Sequence, residues 1–279
     1  PLAYTITILR SPRALIIYLN ERNYKKYMLK IINPFFKKIQ RRVTLMGLKK
    51  DFKKDFNSFK TLALATDTRF VPLWKDRFLC LFDKTEGTNF DRHYIFHPAW
   101  AARIVARLKP KLHIDISSTL NFCAIVSAFV PVDFYDYRPA HLNLSNLNSK
   151  RGDLLALPFA DNSIESISCM HTIEHVGLGR YGDPLDPQGD IKAINELKRV
   201  TIKGGTVLFV TPTGKPKLMY NAHRIYGYNQ ILSYFEGFEL QEFALVPDNA
   251  AETGIIINAT KKIADQQNYG CGCYWFVKK

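Results

Sequence analysis

Four polar side chains follow short apolar segments of the chain, at positions where a nucleotide site of an α/β protein needs them. Asp115 lies in the first segment, Asp136 ends the second 21 residues later, Asp153 follows the third and His171 follows the fourth. An acid about 20 residues past a first strand and turn is the spacing at which such folds hydrogen-bond a ribose, because a carboxylate can accept from both hydroxyls. The pattern predicts a site for a nucleoside-bearing cofactor.

The segments around these residues predict strands that alternate with helices. Strands are expected at 112–116, 131–136, 163–170, 206–210, 240–246 and 255–259, with a further strand that ends near 152–154. Helices are expected at 98–108, 122–129, 189–201 and 229–235. Right-handed crossovers at this spacing predict a Rossmann-like, doubly wound α/β fold with a mostly parallel, seven-stranded sheet that helices cover on both faces.

The composition limits the class of protein. The chain has 279 residues, of which 47% are apolar and 23% charged, and this excludes collagenous and wholly disordered proteins. The apolar run at 14–19 is far shorter than the roughly 20 residues of a membrane span, and no cleavage site of a signal peptide follows it. Five scattered cysteines argue against a disulfide framework, so we expect a cytoplasmic protein.

The positive charge is concentrated near the start of the chain. Residues 1–60 hold 15 Lys and Arg against three acids, although the whole chain has a net charge of +14. Apolar and basic residues alternate at helical spacing there, and Pro34 is expected to separate two helical stretches. Three interpretations remain open: a solvated helical face, a peripheral contact with an anionic membrane and, least favoured, nucleic-acid binding.

Three stretches of the chain resemble class I S-adenosylmethionine-dependent methyltransferases. Residues 153–167, D-L-L-A-L-P-F-A-D-N-S-I-E-S-I, are similar to the region between their third and fourth strands. His171 to Val176 resembles their loop after the fourth strand, and residues 196–206 resemble their E-x-x-R-V-L-K-P-G-G block. The resemblance implies S-adenosylmethionine as the cofactor and a methyltransferase-like domain at 111–262. A basic helical extension at 1–60, a helical lead-in at 61–110 and a C-terminal tail at 263–279 would surround that domain.

A narrower resemblance lies within the first. Residues 174–190, E-H-V-G-L-G-R-Y-G-D-P-L-D-P-Q-G-D, are similar to the signature of an uncharacterised methyltransferase-like family found in nematodes and in bacterial surface-polysaccharide gene clusters. Residues 113–116 and 221–226 also resemble its blocks. The resemblance implies O-methylation of a sugar hydroxyl in surface-glycan synthesis, with a small-molecule or lipid-linked glycan as the acceptor.

The first loop departs from the superfamily pattern. Ser117 and Ser118 occupy positions where glycine is usual, and serine adopts a positive φ poorly. We still expect the pocket to bind cofactor, because the acids at the other strand ends are present. The residues expected to bind it are Asp115, Ser117, Asp136, Asp153, Leu154 and His171.

Methyl transfer to an alcohol needs a base as well as positioning. His175 is the favoured base and His223 the second candidate, while Arg180, Asp183, Asp186 and Arg224 are expected to contact the acceptor. The arginines have an alternative role in structural ion pairs. No metal site is expected, because no C-x-x-C pair is present and Cys271 and Cys273 are too close for the common zinc spacings.

The sequence therefore predicts an S-adenosylmethionine-dependent methyltransferase of a sugar hydroxyl. Two alternatives stay open. One is a catalytically silent methyltransferase fold that serves as a binding or scaffold protein, and the other is a nucleic-acid methyltransferase.

Overall fold

A computed structural model describes residues 21–66 and 69–279, with side chains from residue 38 onward. The apolar run at 14–19 and the first third of the expected basic extension lie outside the described residues. The chain divides into two compact units, with the boundary between Thr88 and Asn89. No helix within the described ranges is long and apolar enough to cross a membrane.

The first unit contains one long helix. Helix α1 spans Glu21–Thr66 and passes through Pro34, so the expected separation into two helical stretches is wrong. Proline has a helical φ, but inside a helix it removes one main-chain hydrogen bond and costs about 3 kcal/mol, so the continuous helix is formed against this local preference. A short 3-10 helix at Trp74–Asp76 follows, and the Trp74 ring packs edge-on against Phe56 with ring centroids 4.9 Å apart.

The second unit is built around a seven-stranded sheet. Its strands are β1 (His113–Ile116), β2 (Val132–Asp136), β3 (Leu147–Arg151), β4 (Ile164–Met170), β5 (Thr201–Thr213), β8 (Phe238–Val246) and β9 (Gly270–Lys278). A separate hairpin contains β6 (Lys217–Met219) and β7 (His223–Ile225). The order in the sheet is β3-β2-β1-β4-β5-β9-β8, and β9 alone runs antiparallel to its neighbours. The predicted Rossmann-like fold with a mostly parallel, seven-stranded sheet is confirmed.

Helices cover both faces of the sheet. They are α2 (Arg92–Leu108), α3 (Leu120–Val126), α4 (Gly189–Val200), α5 (Tyr228–Tyr234), α6 (Ala250–Thr253) and α7 (Lys261–Ala264). The interior strand β5 is buried on both sides: Val207 and Phe209 pack in one core with α4 and α5, whereas Leu208 and Val210 pack in the other with α2 and α3. This alternation follows from the two-residue period of a strand.

Helix α2 begins earlier than the predicted start at Pro98. Asp91 caps its first turn by accepting from the main-chain nitrogen of Tyr94, and Pro98 lies inside the helix. Trp100, Ile104 and Val105 are buried in the same core as α3 and β2. Part of the expected lead-in at 61–110 therefore belongs to the second unit.

The last strand lies where the sequence predicts a tail. Residues 255–259 form only an isolated bridge between Ile256 and Leu245, so the strand expected there is wrong, and 270–278 forms β9 instead. A side chain at Gly272 would place its Cβ 2.2 Å from the hydroxyl of Thr213 on β5. Glycine is therefore required for the close approach of the two strands.

Candidate functional site

The carboxyl ends of β1 to β4 form one wall of a cavity of about 360 Å³, a volume typical of small-ligand sites. Asp136 ends β2, Asp153 follows β3 and His171 follows β4, and all three line the cavity. Leu154, Leu155 and Val176 contribute apolar surface. The structure thus brings together five of the six residues expected to bind cofactor: Ser117, Asp136, Asp153, Leu154 and His171.

Ser117 adopts the backbone conformation that glycine usually provides. Its φ is +54°, its main-chain nitrogen donates to the oxygen of Tyr135 over 2.8 Å, and its hydroxyl donates to the same oxygen over 3.2 Å. The neighbouring Ser118 hydroxyl accepts from the main-chain nitrogen of Met170 over 3.0 Å. These hydrogen bonds join the loop to β2 and β4, so the serines hold it in place.

Asp115 is the one expected cofactor residue that does not line the cavity. It is fully buried, accepts from the main-chain nitrogen of Ser118 over 3.0 Å and accepts a short hydrogen bond from Ser168. The Ser168 oxygen also lies 2.9 Å from Nε2 of His113. Burial raises the pKa of Asp115 to about 6 and lowers that of His113 to about 3. Asp115 therefore stabilises the turn after β1 from the buried side of that turn.

A second, polar cavity of about 480 Å³ adjoins the first. His171, His175 and Tyr181 line both cavities. The remaining lining residues are Tyr94, Glu174, Arg180, Asn221, Ala222, His223 and Tyr269. Both predicted bases and Arg180 are thus brought to one place.

His175 lies between the two cavities in a fixed orientation. Its Nδ1 is 2.6 Å from the main-chain oxygen of Ala222, and Nη1 of Arg180 donates to the same oxygen over 3.0 Å. Its Nε2 lies 3.9 Å from Oε1 of Glu174. Burial lowers the pKa of His175 below its usual value, although Glu174 opposes the shift. Desolvation also lowers the pKa of His223, whose ring centroid is 6.5 Å from that of His175.

The acids of the loop after β4 hold the loop itself. Asp183 lines the rim of the first cavity, and its carboxylate accepts from the main-chain nitrogens of Gly177, Gly179 and Tyr181. Burial alone would raise the pKa of Asp183, but these hydrogen bonds outweigh it and lower the pKa. Asp186 lies outside both cavities and pairs with Lys192 at 2.7 Å.

Arg224 also lies outside both cavities. Its Nη1 donates to the main-chain oxygen of Val176 over 2.7 Å, and its Nε is 3.5 Å from the carboxylate of Asp190. It joins β7 to the loop and to the start of α4, which is the structural alternative that the sequence left open for it. Of the four residues expected to contact an acceptor, Arg180 alone lies on the second cavity.

Several residues of the second cavity were not predicted from the sequence. Tyr94 lies on α2, Asn221 lies in the β6–β7 turn and Tyr269 lies just before β9. Glu174, which the sequence marks only as part of a motif, is 1% exposed and accepts a hydrogen bond from Nδ1 of His171 over 2.8 Å. The spacing H-x-x-x-H occurs at His93–His97 and again at His171–His175, and the expectation of no metal site overlooked this signal.

A family model described as "Caenorhabditis protein of unknown function, DUF268" matches residues 158–268, which is less than half of the chain. The matched segment includes the loop after β4 and the β6–β7 hairpin but ends before β9. No sequence among curated proteins matches the chain significantly.

Solved structures resemble the chain over about two thirds of its length. YcgJ from Bacillus subtilis is 14% identical with a TM-score of 0.46, and the match covers 66% of this chain and 98% of YcgJ. A SAM-dependent methyltransferase from Thermotoga maritima is 16% identical with a TM-score of 0.44, covering 67% and 92%. A TehB-like SAM-dependent methyltransferase from Corynebacterium glutamicum is 15% identical with a TM-score of 0.43, covering 66% and 89%. One fold supports many activities, so likeness at this level leaves the reaction to be argued from the site.

Proposed function

We propose that the protein is an S-adenosylmethionine-dependent methyltransferase that O-methylates a sugar hydroxyl, with the cofactor in the first cavity and the acceptor in the second. The observation that carries the proposal is that the two cavities meet at His175. A group that supplies a methyl and a group that receives it must lie within a few ångströms of each other, and adjoining cavities provide that arrangement.

The lining of the first cavity suits a nucleoside. Asp136 uses one carboxylate oxygen to accept from the main-chain nitrogen of Arg138 over 2.7 Å, and its second oxygen is available for ribose hydroxyls. Leu154, Leu155 and Val176 offer apolar contact for the nucleobase. When bound, S-adenosylmethionine supplies an electrophilic methyl group, and its sulfur keeps the electron pair of the broken S–C bond.

The protein contributes the base. Because the Ala222 oxygen can only accept, Nδ1 of His175 carries the hydrogen and Nε2 keeps its lone pair. That lone pair would accept the proton of the acceptor hydroxyl. The imidazolium that results is stabilised by Glu174, whose Oε1 is 3.9 Å away. His223 borders the same cavity and is the second candidate.

The composition of the second cavity supports a sugar as the acceptor. Tyr94, Tyr181 and Tyr269 provide aromatic surface and hydroxyls, and Arg180 and Asn221 provide hydrogen-bond donors. A sugar presents a ring of hydroxyls and apolar C–H faces, which such a lining can match. A role in surface-glycan synthesis rests on the resemblance of residues 174–190 alone.

A calorimetric titration with S-adenosylmethionine and S-adenosylhomocysteine tests the cofactor. We expect micromolar binding by the wild-type protein, loss of binding in Asp136→Ala and retention in Glu239→Ala, a matched change at an exposed acid on the edge strand β8. A folded wild type that binds neither compound would contradict the proposal and favour the silent, scaffolding alternative. Equal binding by both variants would show that Asp136 does not contact the cofactor.

The proposal also includes a cytoplasmic protein that reaches a lipid-linked acceptor at a membrane surface. The described part of α1 exposes basic residues at Arg41, Arg42, Lys49 and Lys50, and Lys or Arg near an anionic bilayer contribute about 1 kcal/mol each. Flotation of the full chain with phosphatidylserine vesicles should decrease when these four residues are changed to alanine. No flotation with the phosphatidylserine vesicles would contradict the membrane contact, and equal flotation with neutral vesicles would contradict its electrostatic basis.

A further inference from the structure

Three residues from distant parts of the chain bring metal-binding atoms together beside the second cavity. They are His93 on α2, His171 after β4 and Cys271 on β9, and one ligand atom from each lies within 4.8 Å of the other two. His171 and Cys271 are buried and His93 is half-buried. Imidazole nitrogen and thiolate sulfur are both ligands that Zn²⁺ accepts in proteins, and a set of two histidines and one cysteine also occurs in copper sites.

The orientation of His171 matches that of a metal ligand. Its Nδ1 lies 2.8 Å from Oε1 of Glu174, so Nδ1 carries the hydrogen and Nε2 keeps a lone pair. That Nε2 faces Sγ of Cys271 at 3.3 Å. Metal-binding histidines commonly donate their other ring N–H to a carboxylate, which fixes the ring and increases its basicity.

Glu174 supplies an independent observation that a positive group is needed here. It is 1% exposed, and its Oε2 has no hydrogen-bond partner. Among the described residues, the ion-pair partners of Glu174 are histidines alone, His171 and His175. A buried carboxylate without a fixed cation is costly, and a divalent ion on His171 would offset that cost through one hydrogen bond.

A second buried polar atom lies close by. His97 is fully buried, its Nδ1 is 2.6 Å from the main-chain oxygen of His93, and its Nε2 has no partner. The rings of His97 and His171 are 5.0 Å apart between centroids, and His93 stacks on His171 at 5.5 Å. The cluster therefore brings three histidine rings close together in a largely buried position.

We propose that His93, His171 and Cys271 bind a divalent transition-metal ion, with Zn²⁺ the best match, and that Glu174 positions His171 for it. Three protein ligands leave one position of a tetrahedral ion for water or an acceptor oxygen, as in catalytic zinc sites. His171, Glu174 and the neighbouring Tyr269 also line the second cavity, so the ion would lie at its wall. The proposal replaces the expectation of no metal site and does not depend on methyl transfer.

Cobalt(II) provides the test, because it occupies zinc sites and its spectrum reports its ligands. The full chain is reduced, treated with a chelator, freed of it and titrated with Co²⁺. We expect one equivalent to bind, with the visible bands of a tetrahedral ion and a thiolate-to-cobalt charge-transfer band in the near ultraviolet. The charge-transfer band should disappear in Cys271→Ser and persist in Cys123→Ser, a matched change at another buried cysteine.

Zinc competition against a coloured chelator gives the second readout. We expect Glu174→Gln to lower the zinc affinity about 10- to 100-fold and His93→Gln to lower it further. If Cys271→Ser does not fold, His93→Gln tests the same site, because His93 is only half-buried. The proposal is overturned if the folded wild type binds neither metal at one equivalent, or if the charge-transfer band survives in Cys271→Ser. Either result would leave an ordinary hydrogen bond between His171 and Cys271.

Discussion

The Nδ1 atom of His175 and the main-chain oxygen of Ala222 lie 2.6 Å apart and join the loop after β4 to the turn of the β6–β7 hairpin. Nη1 of Arg180 also donates to the Ala222 oxygen, so this oxygen accepts from two donors. The two donor atoms, Nη1 of Arg180 and Nδ1 of His175, lie 3.2 Å apart. Two elements that are 47 residues apart thus fix one imidazole, with Nε2 free to accept a proton.

A change of His175 to glutamine should remove the base. We expect kcat to fall about 10²- to 10⁴-fold with little change in the dissociation constant of the cofactor. The matched variant His223→Gln should cost less than about tenfold. Radiolabelled methyl transfer and calorimetry on the same preparations would measure both quantities. A His175→Gln enzyme with wild-type kcat would assign proton removal to another group.

The pH dependence of the wild-type rate should report the same residue. Burial lowers the pKa of His175 below the usual 6.5, so the side chain is neutral and able to accept a proton at pH 7 and above. We expect kcat to stay constant above pH 7 and to decline as the pH falls through a value below 6.5. A rate that keeps rising above pH 8 would point to a base with a higher pKa.

The glycines of the loop after β4 differ in how much space surrounds them. Gly177 and Gly182 both have a positive φ, +79° and +86°, but a Cβ on Gly177 would lie 2.0 Å from the oxygen of Asp186, whereas Gly182 faces open space. Gly182→Ala should cost about 1–2 kcal/mol through backbone conformation alone. Gly177→Ala should cost clearly more, because the loop must move, and should also lower kcat. Urea unfolding would measure the difference, and equal costs would mean that the loop adapts freely.

Local hydrogen bonds compensate for the left-handed backbone conformation of Ser117. Ser117→Gly should relieve the left-handed strain but lose the bond from the hydroxyl to Tyr135, so we expect stability within about 1 kcal/mol of wild type. Ser117→Val, which is branched and cannot form that bond, should be about 2 kcal/mol or more less stable. Cofactor binding by Ser117→Gly should be at least as tight as in wild type. Weaker binding would show that the hydroxyl contacts the ligand.

Much of the sheet could be predicted because its strands are short apolar runs between turn residues. β1, β2 and β4 agree with the prediction within one residue at each end, and the polar residues that follow β2 to β4 meet at one edge because parallel strands end on the same side. β9 was missed because Gly270 and Gly272 are unfavourable in strands. These glycines allow β9 to approach Thr213 on β5 closely, and that contact is visible only in the folded sheet.

The second cavity was harder to predict for a different reason. Its residues come from α2, the loop after β4, the β6–β7 turn and the segment before β9, and no local pattern joins them. Asp115 shows the opposite error, because an acid at the end of the first strand can contact a cofactor but can equally be a buried acid that supports the turn. Sequence spacing placed it at the correct strand end but could not give the direction of its side chain.

Asp115 should also make stability depend on pH. Its folded pKa is about 6 against an ordinary 3.8, so the folded protein binds this proton more tightly than the unfolded chain. Its contribution to stability is present below about pH 4 and is lost as the pH rises through 6. Between pH 7 and pH 5 the wild type should therefore gain about 1 kcal/mol relative to Asp115→Asn. Urea unfolding at both pH values measures this, and a constant difference between the two proteins would show that Asp115 does not titrate in this range.

His113 cancels in that comparison because both proteins contain it. Its pKa is lowered to about 3 by burial, so it destabilises each of them by a similar amount as the pH falls below 6.5.

The position of β9 determines the order in which the sheet can be completed during synthesis. The ribosome makes β8 before β9, yet β9 lies between β5 and β8. Until residues 270–278 leave the exit tunnel, β8 has no partner in the sheet and β5 presents an open edge to other chains. Cys271 lies on β9, so the metal site proposed here would form only when β9 joins the sheet. Before that step, the nascent chain would lack one of the three metal ligands.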